Sequence, residues 1–234
     1  MGSTSGMGNG LISRRHRVRV PNHAPIYMRY TWTYTESVPE KLYVACSGGV
    51  DSVAAAAILS EWRDVTLLHF SHLDGAHKYE LDTVVELSNT LGVRLITGYQ
   101  TGEQDHGNKE KRWRDARYSW FHSFDTPVAT GHTLDDMVSW YLMTCLRGQG
   151  QIMPHRNRNV FRPFLLTEKI KLIEYCKYRG LTWWEDPCNH DSDFTARNRV
   201  VNNILPEALK INPGLYKTVK NLFLRKKLKN YAIV

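Results

Sequence analysis

Cysteine is scarce in this chain, and its placement excludes several chemistries. Cys46, Cys145, Cys176 and Cys188 are the only four in 234 residues, and no two stand at Cys-x-x-Cys spacing. That argues against an iron–sulfur cluster, a ribbon zinc site or a thioredoxin-like couple, and fits free thiols in a reducing compartment. Long apolar runs are also missing. The longest strictly apolar stretch, Val53 to Leu59, is too short to span a membrane. The N-terminus passes from glycine and serine straight into arginines, without the apolar core of a secretory leader. Position 6 is Gly where a myristoylation signal needs Ser or Thr. No internal repeat is visible. The expectation is a soluble, cytoplasmic protein with no membrane partner.

What is present leans basic and aromatic. Lys plus Arg number 31 against 23 Asp plus Glu, a formal charge of +8. Seven Trp and twelve Tyr can serve packing or stacking on bases. Such a balance favours a polyanionic partner, nucleic acid first. Residues 11–38 interleave Arg14, Arg15, Arg17, Arg19 and Arg29 with Tyr27, Tyr30, Trp32 and Tyr34. This segment reads either as a basic arm touching RNA or as an extended strap packing its aromatics on the domain.

From Lys41 the pattern alternates. Strands are predicted at 42–46, 65–70, 93–97 and 127–130, and helices at 51–62, 78–91, 108–123 and 134–146. Alternation of this kind gives a parallel sheet covered on both faces, with ligands at the carboxyl ends of its strands. After Gly148 the chain turns loop-like. It then predicts a helix from a Thr167 cap to Tyr178, another over 194–204 and a last one over 214–229. In the last, Leu215, Val219, Leu222 and Phe223 share a face opposite Lys217, Lys220, Arg225 and Lys227.

The chemistry concentrates in a few stretches. Cys46-Ser47-Gly48-Gly49-Val50-Asp51-Ser52 joins a strand to a helix N-terminus, where unpaired N–H groups and the helix dipole favour an anion. Gly48 and Gly49 admit the anion closely, Ser47 and Ser52 add donors, and Asp51 beside phosphates calls for a divalent cation. The plainer reading is a serine-glycine turn with Asp51 as a helix cap. Arg114 and Arg117 share a helical face with Glu110 and Tyr118 and suit a triphosphate or phosphodiester, or else simply face solvent. Gly131-His132-Thr133-Leu134-Asp135-Asp136 sets a histidine and two adjacent carboxylates at a further helix start. There the pair either caps the helix or binds Mg²⁺ or an amine. Arg147-Gly148-Gln149-Gly150 and Glu185-Asp186-Pro187-Cys188-Asn189, the latter followed by Arg197-Asn198-Arg199, complete the set.

In this order the motifs resemble those of the PP-loop ATP pyrophosphatases, and among them the tRNA-isoleucine lysidine synthetases. Ser47 to Ser52 is similar to the superfamily signature. Arg114 with Ala116-Arg117-Tyr118, Gly131-His132 with Leu134-Asp135-Asp136, Leu146-Arg147-Gly148, Arg162-Pro163 and Glu185-Asp186-Pro187 with Asn189 and Arg197-Asn198-Arg199 narrow it. The resemblance implies an α/β fold: a doubly wound, mostly parallel sheet of the HUP type with a small C-terminal helical appendage. Beyond the basic arm read from composition over 1–38, it implies a PP-loop ATP-binding domain over 39–165 and a helical extension over 166–234, a short form ending where longer relatives add C-terminal tRNA-binding domains.

The activity it implies uses ATP and Mg²⁺ to adenylate the wobble cytidine of an isoleucine tRNA, then joins L-lysine to it. Ser47, Gly48, Gly49, Asp51 and Ser52 would bind ATP, with Asp51 also near Mg²⁺. Arg114 and Arg117 would face phosphates or the activated base, and His132, Asp135 and Asp136 would line the nucleotide and amine pocket. Arg147, Arg197 and Arg199 would steady tRNA or phosphates. Two departures stand out. Met137-Val138-Ser139-Trp140 replaces the family's Gln-Ala-Glu-Thr, so Ser139 stands where a glutamate is expected near the lysine amine, and Val201 stands where the family often carries arginine. The departure at Ser139 keeps two alternatives open: a related enzyme using another amine or tRNA, and an RNA-binding relic without ligase activity.

Overall fold

A computed structural model describes residues 34–72, 77–100, 109–193 and 195–231, except for the side chains of 109, 110 and 229–231. Most of the expected basic arm, residues 1–33, lies outside the described residues, as does Phe194. The elements run β1 (Lys41–Ala45), α1 (Val50–Ser60), β2 (Asp64–Ser71), α2 (His77–Leu91), β3 (Arg94–Tyr99), α3 (Lys109–His122), β4 (Val128–Thr130) and α4 (Leu134–Cys145). Then come β5 (Arg156–Asn157), β6 (Val160–Phe161), α5 (Lys169–Arg179), a 3₁₀ turn at Pro187–His190, α6 (Ala196–Arg199), a π-helical turn at Val200–Ile204, α7 (Leu205–Ile211) and α8 (Leu215–Tyr231).

The six strands order as β3-β2-β1-β4-β6-β5, all parallel except the β5–β6 pair. Buried on both faces, the central strands carry near-continuous apolar residues: Leu42, Val44, Leu67, Leu68, Val128 and Ala129 are fully enclosed. The chain winds outward from β1 through β2 to β3, then returns to lay β4 on the other side of β1. That reversal opens a crevice beyond the carboxyl ends of β1 and β4, where doubly wound sheets bind ligands. The α/β fold class expected from the alternation is the one observed.

Helix α1 is buried along most of its length. Its four alanines are buried, and their small side chains let it pack between the sheet and α5, whose Leu172, Tyr175 and Cys176 join the same core. A second core gathers Met137 and Val138 of α4, Leu165, Leu205 of α7, and Leu215, Val219 and Phe223 of α8. The apolar face expected for the last helix therefore packs inward.

Through α5, element ends fall within two residues of expectation, an ordinary scatter for helix and strand termini. Two details differ, each for a physical reason. Thr167 does not cap α5: Glu168 takes the cap position without a side-chain bond, and the Lys169 amide donates instead to Asp135 Oδ2 at 2.7 Å. The helix expected over 194–204 starts at Ala196 and continues to Ile211 through the π turn. Pro206 would break an α-helix there, because it lacks an N–H and crowds the preceding turn. The widened turn, with the Leu205 amide on the Val200 carbonyl, absorbs it.

Candidate active site

The loop after β1 is built almost entirely from backbone and hydroxyls. Gly48 has φ +87°, the left-handed region that favours glycine, and a Cβ there would press on the Glu80 carbonyl at 3.1 Å. Ser52 Oγ donates to the Gly49 carbonyl at 2.8 Å and accepts from the Ser47 amide at 3.1 Å, while the Ser47 hydroxyl lies 3.3 Å away. Gly49 caps α1 without any side chain; the Ser52 amide donates to its carbonyl at 3.0 Å, which leaves the Val50 and Asp51 amides of the first turn to an anion. From outside, the Trp184 amide donates to the Gly48 carbonyl at 2.9 Å.

The loop after β4 lies directly against this turn. A Cβ on Gly131 would meet the Asp51 carbonyl at 2.6 Å, so only glycine permits the contact. Asp51, Asp135 and Asp136 consequently feel one another. Burial pushes the Asp51 carboxyl up to about 6; the Lys169 ammonium works against this, and Asp136 and Asp135 add to it. Lys169 Nζ is 3.3 Å from Asp51 Oδ2, while Asp51 Oδ1 is buried with no hydrogen-bond partner among the described residues.

The two neighbouring aspartates are held very differently. Asp135 spends both oxygens inside the protein: Oδ2 accepts the Lys169 amide and Oδ1 accepts the Tyr216 hydroxyl of α8 at 2.9 Å. Burial and the Asp135 carboxylate in turn push the Tyr216 hydroxyl well above the usual phenol range. Asp136 closes a capping box with Thr133, accepting its amide at 2.8 Å, and takes Arg197 Nη2 at 2.5 Å. Burial opposes its ionisation but is outweighed by Arg197 and the Thr133 amide, so Asp136 stays below the usual carboxylate range.

His132 Nδ1 sits 2.8 Å from Thr130 Oγ1. Burial drives its imidazole down to about 3 against the pull of Asp136, and the charges of Arg162, Arg117 and Arg114 push the same way as burial. At neutral pH it is an uncharged hydrogen-bonding group. The arginines form the other wall. Arg114 lies over the Tyr118 ring at 4.6 Å, and the Tyr118 hydroxyl accepts Arg162 Nη2 at 2.8 Å. Arg162 is 2 % exposed and has no carboxylate partner among the described residues. Arg117 makes no side-chain hydrogen bond or ion pair there either, and burial lowers its guanidinium. A buried guanidinium without a carboxylate partner, as at Arg162, is costly, and a bound anion would offset that cost.

The residues expected for the nucleotide site thus converge: Ser47, Gly48, Gly49, Asp51, Ser52, His132, Asp135 and Asp136, with Arg114 and Arg117 across from them. Arg197 joins Asp136. Arg147 and Arg199 go elsewhere, to a groove at the far end of α4. Residues 185–193 and 195–199 work as a clamp that delivers Arg197. Asp186 accepts the Cys188 amide at 2.9 Å, and Asn198 Nδ2 donates to the Cys188 and Asp191 carbonyls at 2.6 and 3.0 Å. Ser139 is buried on α4 and donates to the Asp135 carbonyl at 2.9 Å. Sequence reasoning missed Lys169, Tyr216 and Arg162 as members of the site. Only Arg162 carried a signal, in the Arg-Pro motif.

Residues 23–208 match the PP-loop domain family. The chain belongs to the PP-loop family. Among curated PP-loop relatives it is 28% identical over 196 residues to the tRNA(Ile)-lysidine synthase of Persephonella marina, covering 75% of this chain and 43% of that one. To the enzyme of the same name from Nitratidesulfovibrio vulgaris it is 32% identical over 201 residues, covering 77% and 58%. The chain spans about half the length of the curated relatives it matches. A solved U34-tRNA thiolase NcsA from Methanococcus maripaludis, described with its [4Fe-4S] cluster, superposes with a TM-score of 0.61 at 19% identity, over 79% of this chain and 70% of that one. That likeness concerns the fold.

The donor set fits Mg²⁺ in one way. No group of three His, Cys, Asp or Glu able to hold a metal occurs among the described residues. The unpartnered Asp51 Oδ1 could supply one ligand, the others coming from phosphate oxygens and water, as Mg²⁺ is often held. Among the described residues no helix is long and apolar enough to cross a membrane.

Proposed function

We propose that this PP-loop protein is an ATP-dependent tRNA-modifying ligase of the lysidine-forming type. The observation that carries the reading is the meeting, where β1 and β4 end, of a glycine-and-serine turn with three carboxylates on one side and arginines without carboxylate partners on the other. The curated relatives named above, all tRNA(Ile)-lysidine synthases, point to the same substrate.

In this reading Ser47, Gly48, Gly49 and Ser52 seat the triphosphate on the N-terminus of α1, and Asp51 Oδ1 would hold Mg²⁺. An ion held there would supply positive charge against the phosphate oxygens. The O2 atom of the wobble cytidine attacks the α-phosphorus and pyrophosphate leaves, its charge met by the turn amides and Arg117. The lysine ε-amine then attacks C2, the C2–O2 bond breaks, AMP leaves and the amine loses a proton. A ring carbonyl oxygen leaves poorly and AMP leaves well, so activation divides one hard step into two easier ones.

Because Ser139 is buried and bonded to Asp135, the incoming ammonium would be met by Asp136 and Asp51 rather than by residue 139. The same replacement favours a second reading, a related ligase that joins a different amine to the same activated base. Incubating the protein with ATP, Mg²⁺, purified tRNA pools and single amino acids, followed by nucleoside mass analysis, tests both. Lysine-dependent conversion of cytidine supports the first reading and conversion with another amine the second. ATP binding without conversion of any tRNA contradicts both.

A further inference from the structure

Arg147 and Arg199 lie away from the acidic corner, and what they border is specific. They rim an open groove of about 430 Å³ between the end of α4 and the π-helical turn, floored by Met143, Leu146, Val200 and Ile204. Leu146 is 67 % exposed, an unusual state for a leucine in a well-packed helical pair. Arg199 pairs with Asp193. Among the described residues the Arg147 side chain has no ion pair or hydrogen bond. The groove thus carries an apolar floor with an excess positive charge on its rim, a combination that suits a base joined to its phosphate better than a purely apolar or purely ionic ligand. The π-helical turn that shapes one wall belongs to a class of backbone irregularity frequent at functional sites.

Position adds to composition. Met143 follows Asp136 by seven residues on the same helix, roughly 10 Å along its axis at 1.5 Å per residue. A strand of RNA with its reacting base at Asp136 would carry flanking nucleotides across that distance. We propose that this groove holds a nucleotide next to the reacting base, its ring against Met143, Leu146, Val200 and Ile204 and its phosphate on Arg147 and Arg199. The proposal rests on the RNA-modifying reading above and extends it to a second subsite.

The test uses the full chain and a fluorescently labelled anticodon stem-loop of isoleucine tRNA, with affinity measured across a salt series. Arg147→Gln is expected to weaken binding about tenfold and to reduce the salt slope by about one, as for a lost phosphate contact. Leu146→Ser is expected to weaken binding severalfold with the slope unchanged, as for lost base packing. It should also bind stem-loops made abasic at either flanking position no worse than the intact RNA, whereas the wild type should discriminate against one of them. Both residues are exposed, and melting curves check that neither change disturbs the fold. Wild-type affinity and salt slope in both variants, with the wild type itself binding, would overturn the groove alone. Failure of the wild type to bind any tRNA or stem-loop would overturn the RNA-modifying reading and the groove with it.

Discussion

Two loops meet at the crevice, and they are built on opposite plans. The turn after β1 satisfies itself locally: hydroxyls and carbonyls within Ser47–Ser52 brace one another, and backbone amides are left over for a ligand. The corner after β4 settles Asp136 Oδ2 locally, in the Thr133 capping box, and leaves the other carboxylate oxygens to distant partners. Its carboxylates are held by Lys169 of α5, Arg197 of α6 and Tyr216 of α8, each reached only after the chain has wound back. The first loop is a contiguous motif whose chemistry travels with its sequence. The second acquires its chemistry from the fold, so adjacent aspartates differ: Asp135 is consumed as a joint between helices, and Asp136 keeps a charged face toward His132 and Arg197.

The largest effect should come where the two plans touch. Asp51→Ala removes the carboxylate shared by both loops, and pyrophosphate release should fall at least a hundredfold, the scale of losing a preorganised electrostatic group. Gly131→Ala comes next, since the added methyl has no room against the Asp51 carbonyl at 2.6 Å. It should cost about 1–3 kcal/mol in unfolding free energy and raise the KM for ATP. An unchanged KM would mean that the loops can separate without harm.

The pH dependence sharpens the contrast further. With the Asp51 carboxyl up to about 6 by burial, activity should rise as pH passes upward through that value and the group ionises. Lys169→Met removes the ammonium that pulls this value down, so the rising limb of the kcat/KM profile should move to higher pH. A limb that stays in place would detach Lys169 from the site. Stability runs the other way. Between the ordinary 3.8 and about 6 the folded protein keeps a proton that the unfolded chain has released, so the Asp51 contribution to stability falls as pH rises through that window. The Tm of Asp51→Asn, measured against wild type, should therefore gain over the same window and level off above it. A difference independent of pH would contradict the burial of Asp51. Smallest of all, Tyr216→Phe deletes one hydrogen bond to Asp135 and should cost about 1 kcal/mol in denaturant unfolding, with little change in turnover.

What was legible in the sequence follows the same division. The sheet, its order of helices and the glycine-rich turn after β1 could be read because alternation and the Ser-Gly-Gly run are local signals. The cluster of His132, Asp135 and Asp136 was visible as residues, but not the different states of the two aspartates. Lys169 gave no sign at all: a lysine at the start of a helix looks like a solvated charge, and only the return of α5 against α1 sets it beside Asp51. Arg147, Arg197 and Arg199 looked equivalent in the sequence. The clamp through Asn198 and the π turn send Arg197 toward Asp136 and the others to the groove.

The reading of the crevice as an ATP-cleaving centre meets its most direct test in the products of turnover. Phosphorus NMR of wild-type protein with ATP, Mg²⁺ and isoleucine tRNA should show AMP and pyrophosphate appearing together and depending on the tRNA, with neither formed by Asp51→Ala. ADP and inorganic phosphate in their place, or undiminished pyrophosphate from Asp51→Ala, would contradict it.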